Sequence, residues 1–331
     1  MTLQPSTIQL PNMMTGAPRR VFMVLSPRSL SYARFALESL FRNVAEPIHL
    51  YLITDSLEDR ANLEEELSLR QQTDPHTWSV YAEEDLADYE SSLFARMPNL
   101  RQFRRGHPCW RKITDPVLLS APGEEMVILD PDLYFPNRFR FEKTPHSGVL
   151  LMWQKPHCLW PPEVVKAAMQ ADVAIAHHVD IGVAHWRAPL DLEWIEWLLT
   201  KLNGPQLPLM MHVEAILWSA IAMQFGGGYL DPGSWHCWQR GRYKQARIKL
   251  GTPGIEILRK ENFSRMKCFH AGGEAKYWLA DAKAAGLLDR EQDLTEASPL
   301  MPFVELPPQA YYRQQQLGAI VRKLRFGFTV S

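Results

Sequence analysis

The chain has almost no net charge: 36 Lys and Arg against 37 Asp and Glu, formally −1 at pH 7. Without a basic excess, no overall field draws it to nucleic acid. Only four of its 331 residues are cysteine (Cys109, Cys158, Cys237 and Cys268), and no Cys-x-x-Cys occurs. That usage predicts reduced thiols in a cytosolic protein rather than a disulfide framework. No run approaches the roughly 20 apolar residues that span a bilayer. The most apolar stretch, Val213 to Phe225, holds Glu214 and Gln224 and reads as core. No internal repeat or low-complexity tract is evident. Met1 to Pro18 is polar and proline-containing, without the pattern of a signal peptide, and reads as a flexible leader.

What is present suffices for one large domain, since 46% of residues are hydrophobic. From Arg20 the pattern alternates strand and helix: Val21–Leu25, Leu30–Asn43, Ile48–Thr54, Glu58–Gln71, Trp78–Ala82. Such alternation predicts an α/β fold with a mixed, mostly parallel central sheet flanked by helices. Strands are expected again at Gly148–Trp153 and Val179–Trp186, and helices at Cys109–Leu119, Leu190–Leu202 and Met211–Phe225. Ser91 to Pro108 carries Arg96, Arg101, Arg104 and Arg105 and reads as a basic loop, either over the active site or merely on the surface. Arg111 and Lys112, at the start of the next helix, are either surface cations or ligands for a diphosphate. Trp235-His236-Cys237-Trp238 follows two glycine-rich turns and reads as turn-rich, with aromatic faces suited to a sugar.

Two motifs carry chemistry. In Met126-Val127-Ile128-Leu129-Asp130-Pro131-Asp132, an apolar strand runs into two carboxylates. Side chains at i and i+2 of an extended segment point the same way, so Asp130 and Asp132 converge on one cation that holds phosphate oxygens. The plain alternative is a solvated turn. Downstream, Cys268-Phe269-His270-Ala271-Gly272-Gly273-Glu274-Ala275-Lys276-Tyr277-Trp278 reads as strand, glycine turn and helix. It offers a metal ligand in His270, close backbone approach at Gly273, helix amides for an anion and a cation in Lys276. Its alternative is a structural histidine before an ordinary helix. Cys268 shares a strand face with His270 and reads as a small buried residue rather than a nucleophile.

Asp130-x-Asp132 followed by His270-x-x-Gly273-x-x-Lys276-x-Trp278 resembles the family-8 glycosyltransferases of the GT-A fold, the family of glycogenin and of bacterial lipopolysaccharide galactosyl- and glucosyltransferases. The likeness extends over about residues 20 to 285: first strand Val21–Leu25, first helix from Tyr32, second strand Ile48–Asp55, and Asp180-Ile181-Gly182-Val183-Ala184 as a later strand. This chain departs from the family in four places. Ser26-Pro27-Arg28 stands where Asn or Asp is usual, Asp180 where Asn is common, Val213-Glu214 where Asp-Gln is found, and Tyr277 where Pro is usual.

The resemblance implies a GT-A (Rossmann-like) nucleotide-diphospho-sugar transferase domain over residues 19–300. It implies metal-dependent hexosyl transfer from a nucleotide-diphosphate sugar, most simply a UDP-sugar, to a glycan or glycolipid, with retention of configuration. Asp130, Asp132 and His270 would hold Mn²⁺ or Mg²⁺. Tyr32 would stack on the base, and Lys112, Gly273 and Lys276 would contact the donor. Asp180 and Glu214 would contact the transferred sugar or lie under its anomeric carbon. The rival readings are a nucleotidyltransferase and a non-catalytic sugar-nucleotide-binding module. Ser26-Pro27-Arg28-Ser29-Leu30 lacks the glycines that a nucleotidyltransferase loop uses, and intact carboxylates speak against a binding module.

Residues 301–331 form the last segment. From Leu306 it has no acid, while Arg313, Arg322, Lys323 and Arg325 interleave with Leu317, Ile320, Val321, Leu324, Phe326 and Phe328. This basic amphipathic tail predicts peripheral contact with the inner face of a membrane, or a helix packed on the domain.

Overall fold

The computed structural model describes residues 17–68, 75–155, 157–188, 191–239, 241–313 and 315–316. Its strands are β1 (Arg19–Val24), β2 (Ile48–Ile53), β3 (Thr77–Tyr81), β4 (Glu125–Leu129), β5 (Leu133–Tyr134), β6 (Arg138–Phe139), β7 (Val149–Trp153), β8 (Val179–Arg187), β9 (Gly227–Tyr229), β10 (Trp235–Cys237), β11 (Cys268–His270) and β12 (Asp293–Leu294). The helices that matter below are α1 (Leu30–Asn43), α2 (Leu57–Ser68), α3 (Ala87–Leu93), α4 (Pro98–Arg104), α5 (Arg111–Leu118), α6 (Pro162–Gln170), α7 (Leu192–Lys201) and α8 (Val213–Phe225).

One sheet runs β3-β2-β1-β4-β8-β7-β10-β11-β5, with β9 beside β7. β3, β2, β1 and β4 are mutually parallel. β8 then runs antiparallel between β4 and β7, and β7, β10 and β11 are parallel again. Strand alternation divides the core. Val127 and Leu129 of β4 face a cluster with Leu37 and Leu40 of α1. Met126 and Ile128 face Ile113 of α5 and Ile216 of α8. Helix α1 buries Ala33, Ala36, Leu37 and Leu40, the spacing of one helical stripe. Helix α8 is buried on every side from Val213 to Ala222, Glu214 and Ser219 included.

The basic stretch of residues 91–108 is largely helical rather than a loop. Arg104 is buried and donates to Glu90 at 2.5 Å and Asp115 at 2.8 Å, while Arg101 and Arg105 also reach Glu90. Partnered arginines order a segment that composition alone marks as solvated. Trp235-His236-Cys237 is likewise a strand inside the sheet. Trp235 and Trp238 are buried, and Trp235 donates to Glu142, so neither offers its face to a sugar.

Met301 bridges to Tyr229, Leu306 is buried, and Tyr311 joins the core on the α6–α8 side. Residues 1–16 of the expected leader and residues 317–331, with the apolar groups and every cation but Arg313 expected to meet a membrane, lie outside the described residues. No helix among the described residues is long and apolar enough to cross a membrane. The four cysteines are free.

Candidate active site

The two motifs meet at the edge where the carboxyl ends of β4, β7, β10 and β11 gather, the usual ligand edge of an α/β sheet. Asp130 and Asp132 do not converge as an extended strand end. Pro131 and Asp132 form a turn, and the chain doubles back as β5, which pairs antiparallel with β11. That pairing sets Leu133 against His270 and lets the Ala271 amide donate to the Asp132 carbonyl at 2.9 Å. The register therefore delivers a carboxylate to an imidazole 138 positions away.

Asp130 and the histidine meet across β8. The Asp130 amide donates to the Gly182 carbonyl at 2.8 Å, and the His270 ring lies against Gly182. A Cβ at residue 182 would stand 2.6 Å from His270 Nδ1, closer than real side chains come. Gly182→Ala should therefore tilt the imidazole while the strand survives, because φ there suits any residue. Divalent-ion affinity, measured by calorimetry beside thermal unfolding, is expected to fall about tenfold or more with little change in melting temperature. Unchanged ion affinity would remove the packing argument.

His270 Nε2 faces both acids, 3.2 Å from Asp132 and 3.8 Å from Asp130. Its Nδ1 is 2.8 Å from Asp180 Oδ2. A carboxylate on one ring nitrogen fixes the ring and turns the other nitrogen toward a ligand, the arrangement that commonly supports metal-bound histidines. Asp130, Asp132 and His270 offer ligand atoms all within 4.8 Å of one another. Two carboxylates and one imidazole suit a hard or borderline divalent cation. Asp180, Cys237 and His270 also cluster within that distance. Burial pushes the Cys237 thiol up to about 12, so this second group serves as support for the imidazole.

Lys112 is buried beneath the site. Its ammonium is 2.6 Å from Asp130 and 3.1 Å from Glu214. Burial opposes its charge, but Asp130 and then Glu214 outweigh burial and hold it well above the ordinary lysine value. Burial raises Asp130, and Lys112 offsets this only in part. Burial also pushes Glu214 up to about 8 against the pull of Lys112. Lys112 thus lies between two carboxyls, Asp130 and Glu214, whose protons burial holds more tightly than usual. Glu214 Oε1 accepts from Trp218 at 3.1 Å, and its buried Oε2 has no partner among the described residues. For His270, burial opposes the charge, but Asp180 and Asp132 outweigh it and hold the ring well above the ordinary imidazole value. Burial would raise Asp132, but His270 and Lys276 hold it below the usual carboxylate range.

Lys276 sits in a 3-10 turn, Ala275–Trp278, rather than in a regular first helical turn. Its ammonium is 3.5 Å from Asp132 and 4.7 Å from the centre of the Tyr32 ring. Gly273, at φ +63°, takes the left-handed conformation the turn requires. Tyr32, Lys276, Asp132, His270, Asp130, Lys112 and Glu214 thus form one continuous chain of contacts, with Asp180 behind the histidine. Arg111 is not part of it: the guanidinium is held by the Thr54 carbonyl and Asp55. The supporting place of Asp180 and the close approach at Gly182 were not read from the motifs. A buried histidine needs a partner on each nitrogen, and that requirement is the signal that would have called for an acid elsewhere.

No family profile and no curated protein matches this chain. Solved structures do. Mouse xyloside xylosyltransferase 1, in its apo form, is 13% identical and aligns over 78% of this chain and 99% of its own, with a TM-score of 0.50. The galactosyltransferase LgtC, in complex with donor and acceptor sugar analogues, is 13% identical over 81% and 92%, with a TM-score of 0.42. GlyE of Streptococcus pneumoniae is 10% identical over 96% and 65%, with a TM-score of 0.44. The xylosyltransferase alignment, with the mixed sheet and its flanking helices, gives this chain the GT-A glycosyltransferase fold.

Proposed function

We propose that this chain is a metal-dependent glycosyltransferase that moves a sugar from a nucleotide-diphosphate donor, a UDP-sugar first among them, to a glycan or glycolipid acceptor. The observation that carries this reading is the convergence of Asp130, Asp132 and His270, with Asp180 on the far nitrogen of the imidazole. Those three side chains would hold Mn²⁺ or Mg²⁺, whose bound charge offsets the charge that builds on a departing diphosphate.

The remaining steps belong to the chain's own groups. Lys276 places a second positive charge beside Asp132, where the β-phosphate would lie. Tyr32 offers its ring to the base. Gly273 lets the backbone approach the phosphates without a side chain between. Lys112 favours the ionised form of Asp130 against the effect of burial. Glu214 would meet a hydroxyl of the transferred sugar only from its buried place beside Lys112. Asp180 orients His270 so that Nε2 faces Asp130 and Asp132. Retention of configuration follows from the resemblance in sequence.

Incubation with a panel of sugar nucleotides and Mn²⁺ tests the reading. Transfer, or slow hydrolysis, releases a nucleoside diphosphate, and chelation stops it. Release of pyrophosphate from a nucleoside triphosphate would make the chain a nucleotidyltransferase. Binding of a sugar nucleotide with release of neither product would make it a binding module.

A further inference from the structure

Beyond β8 the same edge of the sheet carries a second feature. Trp153 ends β7 and pairs with Val179, the residue before Asp180. The Trp153 ring contacts His178 at 5.1 Å between centres. His178 stacks on His177 at 3.7 Å, and His177 meets His157 at 5.1 Å. Trp153, His178, His177 and His157 are all partly exposed. His157 in turn approaches Tyr311 of the last described segment at 6.2 Å. The rings make one unbroken row that begins beside Asp180 and leads away from the metal-ligand cluster.

The row lies on the opposite side of β4 from Tyr32. In the sheet order, β1 with α1 is on one side of β4, and β8 and β7 are on the other. Trp153 and Val179 face the cluster that also receives Val213 and Ile216 of α8, the helix that carries Glu214. Among the described residues, Tyr32 is held beside Lys276 and Tyr277 and makes no contact with the row, so a base resting on it would not occupy these rings.

We propose that Trp153, His178 and His177 form a saccharide-binding track that holds the sugar acceptor; this rests on the glycosyl-transfer reading above. A sugar ring has an apolar C–H face and a rim of hydroxyls. An indole supplies a flat, rigid surface for the first, and neutral imidazoles supply donors and acceptors for the second. Burial pushes His177 down to about 4 and lowers His178, so both are neutral at pH 7. His178 Nδ1 is 3.1 Å from the Gln154 carbonyl, which fixes the ring and leaves Nε2 as its second hydrogen-bonding atom. A row of aromatic and imidazole rings without carboxylates among them, with Lys155 as its neighbouring charge, suits the faces and hydroxyls of a glycan better than a peptide.

Saturation-transfer NMR on the full chain, with lactose, maltose and cellobiose as probes, tests this directly and needs no donor. At least one probe should take up saturation on its ring protons. Trp153→Leu and His178→Asn should each weaken that signal about tenfold, while affinity for UDP with Mn²⁺ stays within about twofold. Asparagine tolerates the left-handed conformation of His178 (φ 59°), so that variant keeps its fold even if the tryptophan variant does not. Equal signals in wild type and variants, or no signal from any probe, would overturn the track. Sugar binding without nucleoside diphosphate release would instead overturn the transfer reading, so the two failures are separable.

Discussion

Asp132→Ala is expected to lower metal-dependent release of nucleoside diphosphate by about 10³-fold while the protein stays folded. The Asp132 carboxylate touches both His270 Nε2 at 3.2 Å and Lys276 at 3.5 Å. Asp130 cannot take over, because one of its oxygens is already held by Lys112 at 2.6 Å. The fold should survive because the turn is held through the backbone: the Ala271 amide donates to the Asp132 carbonyl, which alanine retains. Asp180→Asn should act more mildly, reducing divalent-ion affinity about 10–100-fold, since it acts through the imidazole. Calorimetry with Mn²⁺ and UDP, with circular dichroism for the fold, measures both. Wild-type metal-dependent binding by Asp132→Ala would refute the site.

Lys112→Met should cost about 3–5 kcal/mol of stability. It leaves the half-buried Asp130 without its cation, and the buried Glu214 close by loses the same partner. Adding Asp130→Asn removes the stranded charge, so the double variant should recover much of the loss; denaturant unfolding of the four proteins of the cycle gives the coupling. Additive losses would mean that Lys112 acts by packing alone.

The same triad predicts a pH dependence. Glu214 rises from an ordinary value of 4.5 to about 8 on folding. The folded state then binds its proton more tightly than the unfolded state. Its contribution to stability is greatest below the unfolded value and falls as pH rises toward about 8. Glu214→Gln should flatten that slope across the same window in pH-dependent unfolding. A slope unchanged by the substitution would assign the dependence to other groups.

Much of the framework was legible in the residues. The expected strand Val21–Leu25 is β1 (Arg19–Val24), the expected helix Leu30–Asn43 is α1 with the same ends, and Val179–Trp186 is β8 to within one residue. Each has an uninterrupted apolar period, which local sequence records. Residues 91–108 and Trp235-His236-Cys237 were misread for the opposite reason. Arg104 is ordered by Glu90 and Asp115, 14 and 11 positions away in other helices, and Trp235 by its place between β7 and β11, so the partners lie outside the segment that was read.

The sequence by itself determined that two short segments hold acids, an imidazole, glycines and a lysine, with apolar strands leading into them. It also indicated the α/β alternation that makes such segments strand ends. Tertiary structure alone decided that β5 folds back onto β11, that Gly182 leaves room for the His270 ring, and that Asp180 takes its second nitrogen. It also decided that Lys112 is shared between Asp130 and Glu214. These are contacts across 90 or more residues between Asp180 and His270, or 102 between Lys112 and Glu214. Burial then shifts the proton equilibria of the groups it gathers, and burial is a property of the packed chain rather than of any segment in it.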